Sequence, residues 1–173
     1  MQIITNTLDR YNYHELADIL HSYNNTADLS DFLFFDIETT GFSARNSMCY
    51  LIGCVSLNNN SFVIKQFFAD NPSDCDDEKN IITEFMHFAA KFKYIVHFNG
   101  DGFDIPYLKE RMRLNGLGEL QFPQSVDLFK KARSLGTLLK LENYKQKTIE
   151  HFLGISRNDK YDGGELINVY KEY

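Results

Sequence analysis

The apolar run Phe32 to Phe35 ends in two carboxylates, Asp36 and Glu38, and a second run, Tyr94 to Phe98, leads into Asp101 and Asp104. An uninterrupted apolar run of this length predicts a strand buried on both faces of a sheet. Residues two apart on a strand point to the same side, so Asp36 and Glu38 share a face. Two such carboxylates repel each other unless a cation sits between them, and hard oxygen ligands of this kind suit Mg²⁺ or Mn²⁺. The loop Asn99 to Asp104, following the second run, is placed to bring a third carboxylate to the same spot.

The remaining pattern builds a sheet around that pair. Met48 to Leu57 and Ser61 to Phe68 read as a hairpin through Asn58-Asn59-Asn60, giving a meander with the first run. Asp76-Asp77-Glu78 suits a helix N-terminus, and Ile81, Ile82, Phe85, Phe88, Ala89 and Phe92 form its core-packing stripe. A crossover of helix length predicts that Tyr94 to Phe98 adds in parallel. Ile105 to Leu114 follows as a helix, Ser125 to Phe129 as the last strand, and Tyr144 to Phe152 and Gly164 to the terminus as helices. Tyr11 to Tyr23 carries Leu16, Ile19, Leu20 and Tyr23 at helical spacing. The expected class is α/β, a mixed five-stranded sheet of antiparallel meander plus parallel strands, with helices on both faces.

Asp36-Ile37-Glu38-Thr39-Thr40-Gly41 followed by Asn99-Gly100-Asp101-Gly102-Phe103-Asp104 resembles the first two motifs of the DEDD 3′–5′ exonucleases, a branch of the ribonuclease H-like superfamily. Tyr50-Leu51-Ile52-Gly53, Phe67-Phe68, His97-Phe98, Phe122 to Leu128, Leu153 to Arg157 and Gly163 to Tyr173 follow at spacings similar to the YprB-type RNase H-like domains. The resemblance covers 31–173, which implies an RNase H-like exonuclease domain there that lacks its last helix; residues 1–30 have no counterpart in it and read, from their helical spacing, as an N-terminal helical extension. The resemblance also implies a fourth acid on a late helix, usually an Asp with His or Tyr four positions earlier. The block matching Gly163 to Tyr173 lies before that motif in the family. Tyr161 does stand four positions before Glu165, so Glu165 or Asp162 is the candidate substitute.

Phosphodiester hydrolysis needs an activated water and charge compensation on the leaving oxygen, which two divalent cations supply. Asp36 is the candidate to bridge both ions, with Glu38 on the ion that activates water and Asp104 on the other. The resemblance gives Asn99 and Phe103 the seating of the substrate, one by its amide and one by its ring. Thr39, Thr40 and Gly41 are placed to offer backbone N–H and hydroxyl groups to a terminal nucleotide. Asp127 reads either as support from behind the site or as a strand-end cap. His97 reads as a satisfied half-buried histidine more readily than as a general base. Lys130, Lys131 and Arg133 fit a phosphate-facing patch and a solvated face equally well.

Composition permits this reading without requiring it. A chain of 173 residues with 43% hydrophobic content is one domain with a sizeable core. The net charge of −6 is uneven, with 6 Lys+Arg against 15 Asp+Glu in residues 1–104 and 12 against 9 beyond. A metal-binding half beside a mildly basic half fits a nucleic-acid partner, DNA or RNA; the exonuclease resemblance implies that it is met at a single-stranded 3′ end. No apolar run reaches membrane-spanning length, and the first residues lack the basic and hydrophobic regions of a leader. Cys49, Cys54 and Cys75 lack paired metal-ligand spacing and read as free thiols in a reducing cytoplasm, with Cys49 and Cys54 on opposite sides of a regular strand. The alternative function is a catalytically incomplete nucleic-acid-binding or docking module of the same fold.

Overall fold

A computed structural model describes residues 1–8, 28–59, 61–71, 75–118, 121–161 and 163–172. Strands β1 (Gln2–Leu8), β2 (Phe32–Thr39), β3 (Cys49–Asn58), β4 (Ser61–Phe68), β5 (Tyr94–His97) and β6 (Gln124–Asp127) form one sheet, ordered β1-β4-β3-β2-β5-β6. β2, β3 and β4 make the expected antiparallel meander, whereas β5 joins β2, and β6 joins β5, in parallel. The helices are α1 (Cys75–Ala89), α2 (Asp104–Leu114), α3 (Leu128–Ser134), α4 (Gly136–Leu139), α5 (Gln146–Phe152) and α6 (Gly163–Glu172). The fold is α/β with a mixed sheet.

The sheet has six strands, not the expected five. The added strand, β1, pairs antiparallel along β4 from Gln2 opposite Phe68 to Leu8 opposite Phe62. All seven of its residues are exposed, so no alternation of apolar and polar positions announced it. Its β-branched Ile3, Ile4, Thr5 and Thr7 suit a strand, and the open edge of β4 supplies the backbone partners. The helix expected over Tyr11 to Tyr23 lies outside the described residues.

Leu33, Phe35 and Ile37 of β2 face a core built with Ile81, Ile82 and Phe85 of α1 and Leu108 and Met112 of α2. Tyr170 of α6 closes it at one side, stacking on Tyr50 at 4.1 Å and donating from its hydroxyl to the Ala69 carbonyl at 3.0 Å. The opposite face carries a smaller cluster of Phe32, Tyr94, Val96 and Val126, with Phe34 against it. β6 ends at Asp127 rather than Phe129, because Asp127 accepts the N–H groups of Phe129 and Lys130 at 3.0 and 3.4 Å and so caps α3. Helices α3 and α4 occupy a stretch where the sequence suggested none.

Cys49 and Cys54 fall in the same buried cluster, against the expectation from their odd spacing. The register slips between Glu38 and Thr39, which pair with Leu51 and Cys49, leaving Tyr50 as the extra residue of a bulge. One inserted residue reverses the facing of what precedes it.

Candidate active site

β2 lies in the middle of the sheet, with Asp36 opposite Gly53 and Glu38 opposite Leu51. Strand alternation buries Phe35 and Ile37 on one face and turns Asp36 and Glu38 to the other. A side chain at Gly53 would meet nothing within 4 Å, so space is left over Asp36, which lines a cavity of about 330 Å³ with Phe34, Val96, Leu128 and Gln146. Asp104 enters as the first residue of α2, and it is buried.

All three carboxyl groups are pushed toward their protonated forms. Crowding by protein raises Asp36 although the residue opens to solvent; the Ile37 N–H and the Arg157 charge oppose this only in part. Burial and then the Asp36 charge raise Glu38. Asp104 is pushed up to about 6, first by burial and then by Asp36, against hydrogen bonds from its own backbone and from Ile37. Asp36 therefore sits in the middle, acting on both of the others. Among the described residues none of the three forms an ion pair. Hard oxygen donors that repel one another, with only the Arg157 charge among the described residues to offset them in part, fit divalent metal, whose charge would stabilise all three in ionised form.

A second group includes His97, which meets Phe35 edge-on at 5.7 Å. One ligand atom each of His97, Asp101 and Asp127 lies within 4.8 Å of the others. Here the protein's own donors have filled the site. His97 Nδ1 accepts the Gly100 N–H at 3.0 Å, so the proton of the neutral ring sits on Nε2, 2.9 Å from Ser125 Oγ. The Ser125 hydroxyl donates to Asp101 Oδ1 at 2.5 Å, and Lys130 Nζ donates to Asp101 Oδ2 at 2.5 Å. Asp127 Oδ1 takes the Asn99 N–H at 3.0 Å besides capping α3, while its Oδ2 is buried without a hydrogen-bond partner among the described residues. A metal on His97 Nε2 would have to displace the proton that the Gly100 bond fixes there. His97 is thus the satisfied histidine that the sequence favoured, and burial lowers its pKa from the usual value.

A model of the RNase_H superfamily matches residues 33–173, most of the chain. The chain belongs to the RNase H superfamily. Among solved structures, the family B DNA polymerase of the hyperthermophilic archaeon Pyrobaculum calidifontis superposes with a TM-score of 0.63 at 18% identity, over 81% of this chain and 21% of the polymerase. A product-bound exonuclease I gives a TM-score of 0.54 at 14% identity, over 82% of this chain and 43% of that one. E. coli exonuclease I in complex with a dT13 oligonucleotide gives 0.54 at 16%, over 80% and 38%. At these identities the likeness establishes the fold. The chain spans less than half of each of these proteins. No curated protein matches it.

Within this RNase H superfamily chain, the loop after Asp36-Ile37-Glu38 is closed by its own polar groups. Thr39 Oγ1 donates to the Gly41 carbonyl at 3.0 Å, and Thr40 Oγ1 accepts the Met48 N–H at 3.0 Å. The threonine hydroxyls expected at a substrate are thus engaged within the protein. The loop is gripped from α2, where Tyr107 meets Ser47 at 2.9 Å and Arg111 donates to the Ala44 carbonyl at 2.8 Å. Arg111 is itself paired with Glu78, which is 1% exposed and also accepts the Cys49 N–H at 2.7 Å. The sequence showed Glu78 only as one acid of a helix N-terminus; nothing in it announced the partner 33 residues on.

Phe103 is half-buried against the core, 5.4 Å from Tyr107 and 6.3 Å from the 95% exposed Phe42. Asn99 is exposed with a φ of 64°, because β5 ends at His97 and the chain turns there; strand alternation does not carry on from His97 to Asn99. Gly100 is required at the next position, since a Cβ would lie 2.6 Å from His97 Cγ. Glu165 stands exposed in the first turn of α6, and Asp162 lies outside the described residues. Asp127 caps α3 and also accepts the Asn99 N–H. No helix among the described residues is long and apolar enough to cross a membrane.

Proposed function

We propose that this chain is a metal-dependent nuclease that hydrolyses phosphodiester bonds of single-stranded DNA or RNA from a 3′ end, in the manner of the DEDD exonucleases. The observation that carries the reading is the set of Asp36, Glu38 and Asp104: three carboxyl groups raised by burial, Glu38 and Asp104 also by the Asp36 charge, with no ion pair among the described residues. Two Mg²⁺ or Mn²⁺ ions, when bound, supply the activated water and offset the charge on the leaving oxygen. Asp36, acting on both neighbours, is the residue to bridge the two; Glu38 serves the ion on the water side and Asp104 the other. Asn99, exposed at the end of β5, offers its amide to the strand, and Phe103 with Phe42 presents rings at the rim on which a terminal base stacks. Glu165 or Asp162 would complete the carboxylate set. The likeness to exonuclease I supports action at a strand end, and the unpaired thiols of Cys49 and Cys54 suit a reducing cytoplasm.

The test is a fluorescent single strand, DNA and RNA in parallel, incubated with Mn²⁺ and the wild-type or Asp36→Asn chain. The asparagine removes one charge at nearly constant shape, so the variant should stay folded and lose cleavage. Unchanged cleavage by Asp36→Asn sinks the assignment. Strand binding without shortening at saturating Mn²⁺ would instead favour a docking module of the same fold.

A further inference from the structure

The basic run after β6 divides once the chain folds. Lys130 is taken up by Asp101 at 2.5 Å. Arg133 has no carboxylate partner among the described residues; its guanidinium lies over the Phe129 ring, 5.6 Å from the centroid, and that ring packs on Phe98 at 5.8 Å. Arg133, Phe129 and Ser134 from α3 face Asn99 and Gly102 across a cavity of about 500 Å³. Asp101 and Lys130, also on its wall, largely cancel, so the uncompensated charge there is the guanidinium.

We infer that this cavity is a phosphodiester subsite, in which Arg133 binds a backbone phosphate of a single strand away from the bond that is cut. A guanidinium offers a planar fork that matches phosphate, and stacking on Phe129 restricts it to few orientations. The Asn99 amide supplies neutral donors on the opposite wall. Its backbone is held in place by Asp127, so the wall is preformed. The cavity has the size of a small-ligand site, large enough for one nucleotide unit. It also shares the loop Asn99–Asp104 with the carboxylate centre, so a strand lying on that loop meets both. The inference rests on the nuclease reading for its choice of ligand, but it concerns binding and not chemistry.

The experiment measures binding without chemistry. A fluorescent oligothymidylate of about twelve nucleotides is titrated in EDTA over a range of salt concentrations. Arg133→Gln is expected to weaken binding about tenfold, the weight of one charge-assisted contact. It should also reduce the slope of log affinity on log salt by about 0.7, the value for one phosphate on a single strand. Arg133→Lys should restore the slope. Lys91→Gln, which removes the same charge beside Phe88 on α1's side of the sheet, should change neither. Inorganic phosphate at equal ionic strength should compete only weakly; if it displaced the oligonucleotide fully, the site would be one for free phosphate and the strand inference would fall.

Equal affinity and slope for Arg133→Gln and the wild type overturns the subsite while leaving the nuclease reading intact. Weaker binding at an unchanged slope overturns it too, since the loss would then come from packing on Phe129. Arg133-dependent binding by a chain that never cleaves with Mn²⁺ supports the subsite and defeats the nuclease reading. No binding by the wild type at low salt defeats both.

Discussion

Asp36, Glu38 and Asp104, and His97, Asp101 and Asp127, are two groups built from nearly the same residue types. Their environments run opposite ways. Lys130, Ser125, Gly100, Asn99 and the first turn of α3 meet the second group with donors. The first group meets hydrophobic burial and its own like charges, and all three of its members are raised. Proximity of acids therefore does not by itself mark a metal centre. The group with the tighter ligand-atom spacing is the scaffold, and the one left electrostatically unsatisfied is the candidate for cations. The scaffold holds Asn99 and Gly100, the start of the loop that delivers Asp104, so the two groups are joined as support and supported.

The largest expected effect separates the groups by chemistry. Glu38→Gln and Asp104→Asn should each cut Mn²⁺-dependent cleavage by more than the roughly 10–100-fold typical of residues that only orient a ligand, and should lose the Mn²⁺ heat in calorimetry. His97→Gln should keep that heat. Retained Mn²⁺ binding by Asp104→Asn together with its loss in His97→Gln would reverse the comparison.

A smaller effect separates them by stability. His97→Ala strips a buried ring from Phe35 and leaves the Gly100 N–H unpaired, at a cost of about 2–4 kcal/mol in urea unfolding. A change below about 0.5 kcal/mol, the range of ordinary surface substitutions, would mean that the network is not the scaffold described.

The pH dependence of the two groups should have opposite signs, measured without metal. Asp104 titrates at about 6 in the fold against an ordinary 3.8, so its protonated form contributes stability that is complete below the lower value and lost as pH rises through the upper. Asp104→Asn should therefore be more stable than the wild type at pH 7, by about 2–3 kcal/mol at 1.36 kcal/mol per pH unit, and no different near pH 3. Saturating Mn²⁺ should erase or invert the gain. For His97 the fold lowers the pKa, so its contribution is present above the ordinary 6.5 and is lost as pH falls below it. The charges facing it are Asp101, Asp127 and Lys130; in His97→Gln the loss of stability between pH 7 and pH 5 should be shallower. An equally steep loss would assign it to another group.

The smallest effect concerns Tyr50, whose hydroxyl is buried without a hydrogen-bond partner among the described residues. Tyr50→Phe keeps the stack on Tyr170 and removes an unsatisfied group, so thermal unfolding should show no loss and a gain of up to about 1 kcal/mol. A clear loss would reveal a partner for that hydroxyl and would tie the bulge more closely to Glu38, whose charge acts on Tyr50.

The central strands were legible because their signal is local. Phe32 to Phe35 and Tyr94 to Val96 are continuous apolar runs, and the position of Asp36 and Glu38 on one face follows from strand alternation alone. α1 was legible from its apolar spacing and α2 from Pro106 and Asn115-Gly116 at its ends, and both start within a residue or two of where the sequence placed them. β1 was not, because an all-exposed edge strand carries no alternation and is decided by whether a neighbouring edge lies open. The same holds for α3, which exists where Asp127 turns from strand residue to cap.

From the sequence alone came the acidic tips of two buried strands, the order of meander, crossover and parallel strand, and the kinship with RNase H-like domains. These rest on period, length and residue type, which short stretches of chain express by themselves. Only the tertiary structure decided which acids are satisfied and which are not. The proton on His97 Nε2, the burial of Glu78 against Arg111, the common burial of Cys49 and Cys54, and the isolation of Arg133 from any carboxylate among the described residues all depend on partners distant in sequence or on a one-residue slip in register. Electrostatic satisfaction is a property of neighbours in space, and a carboxylate reads the same in a sequence whether or not it has them.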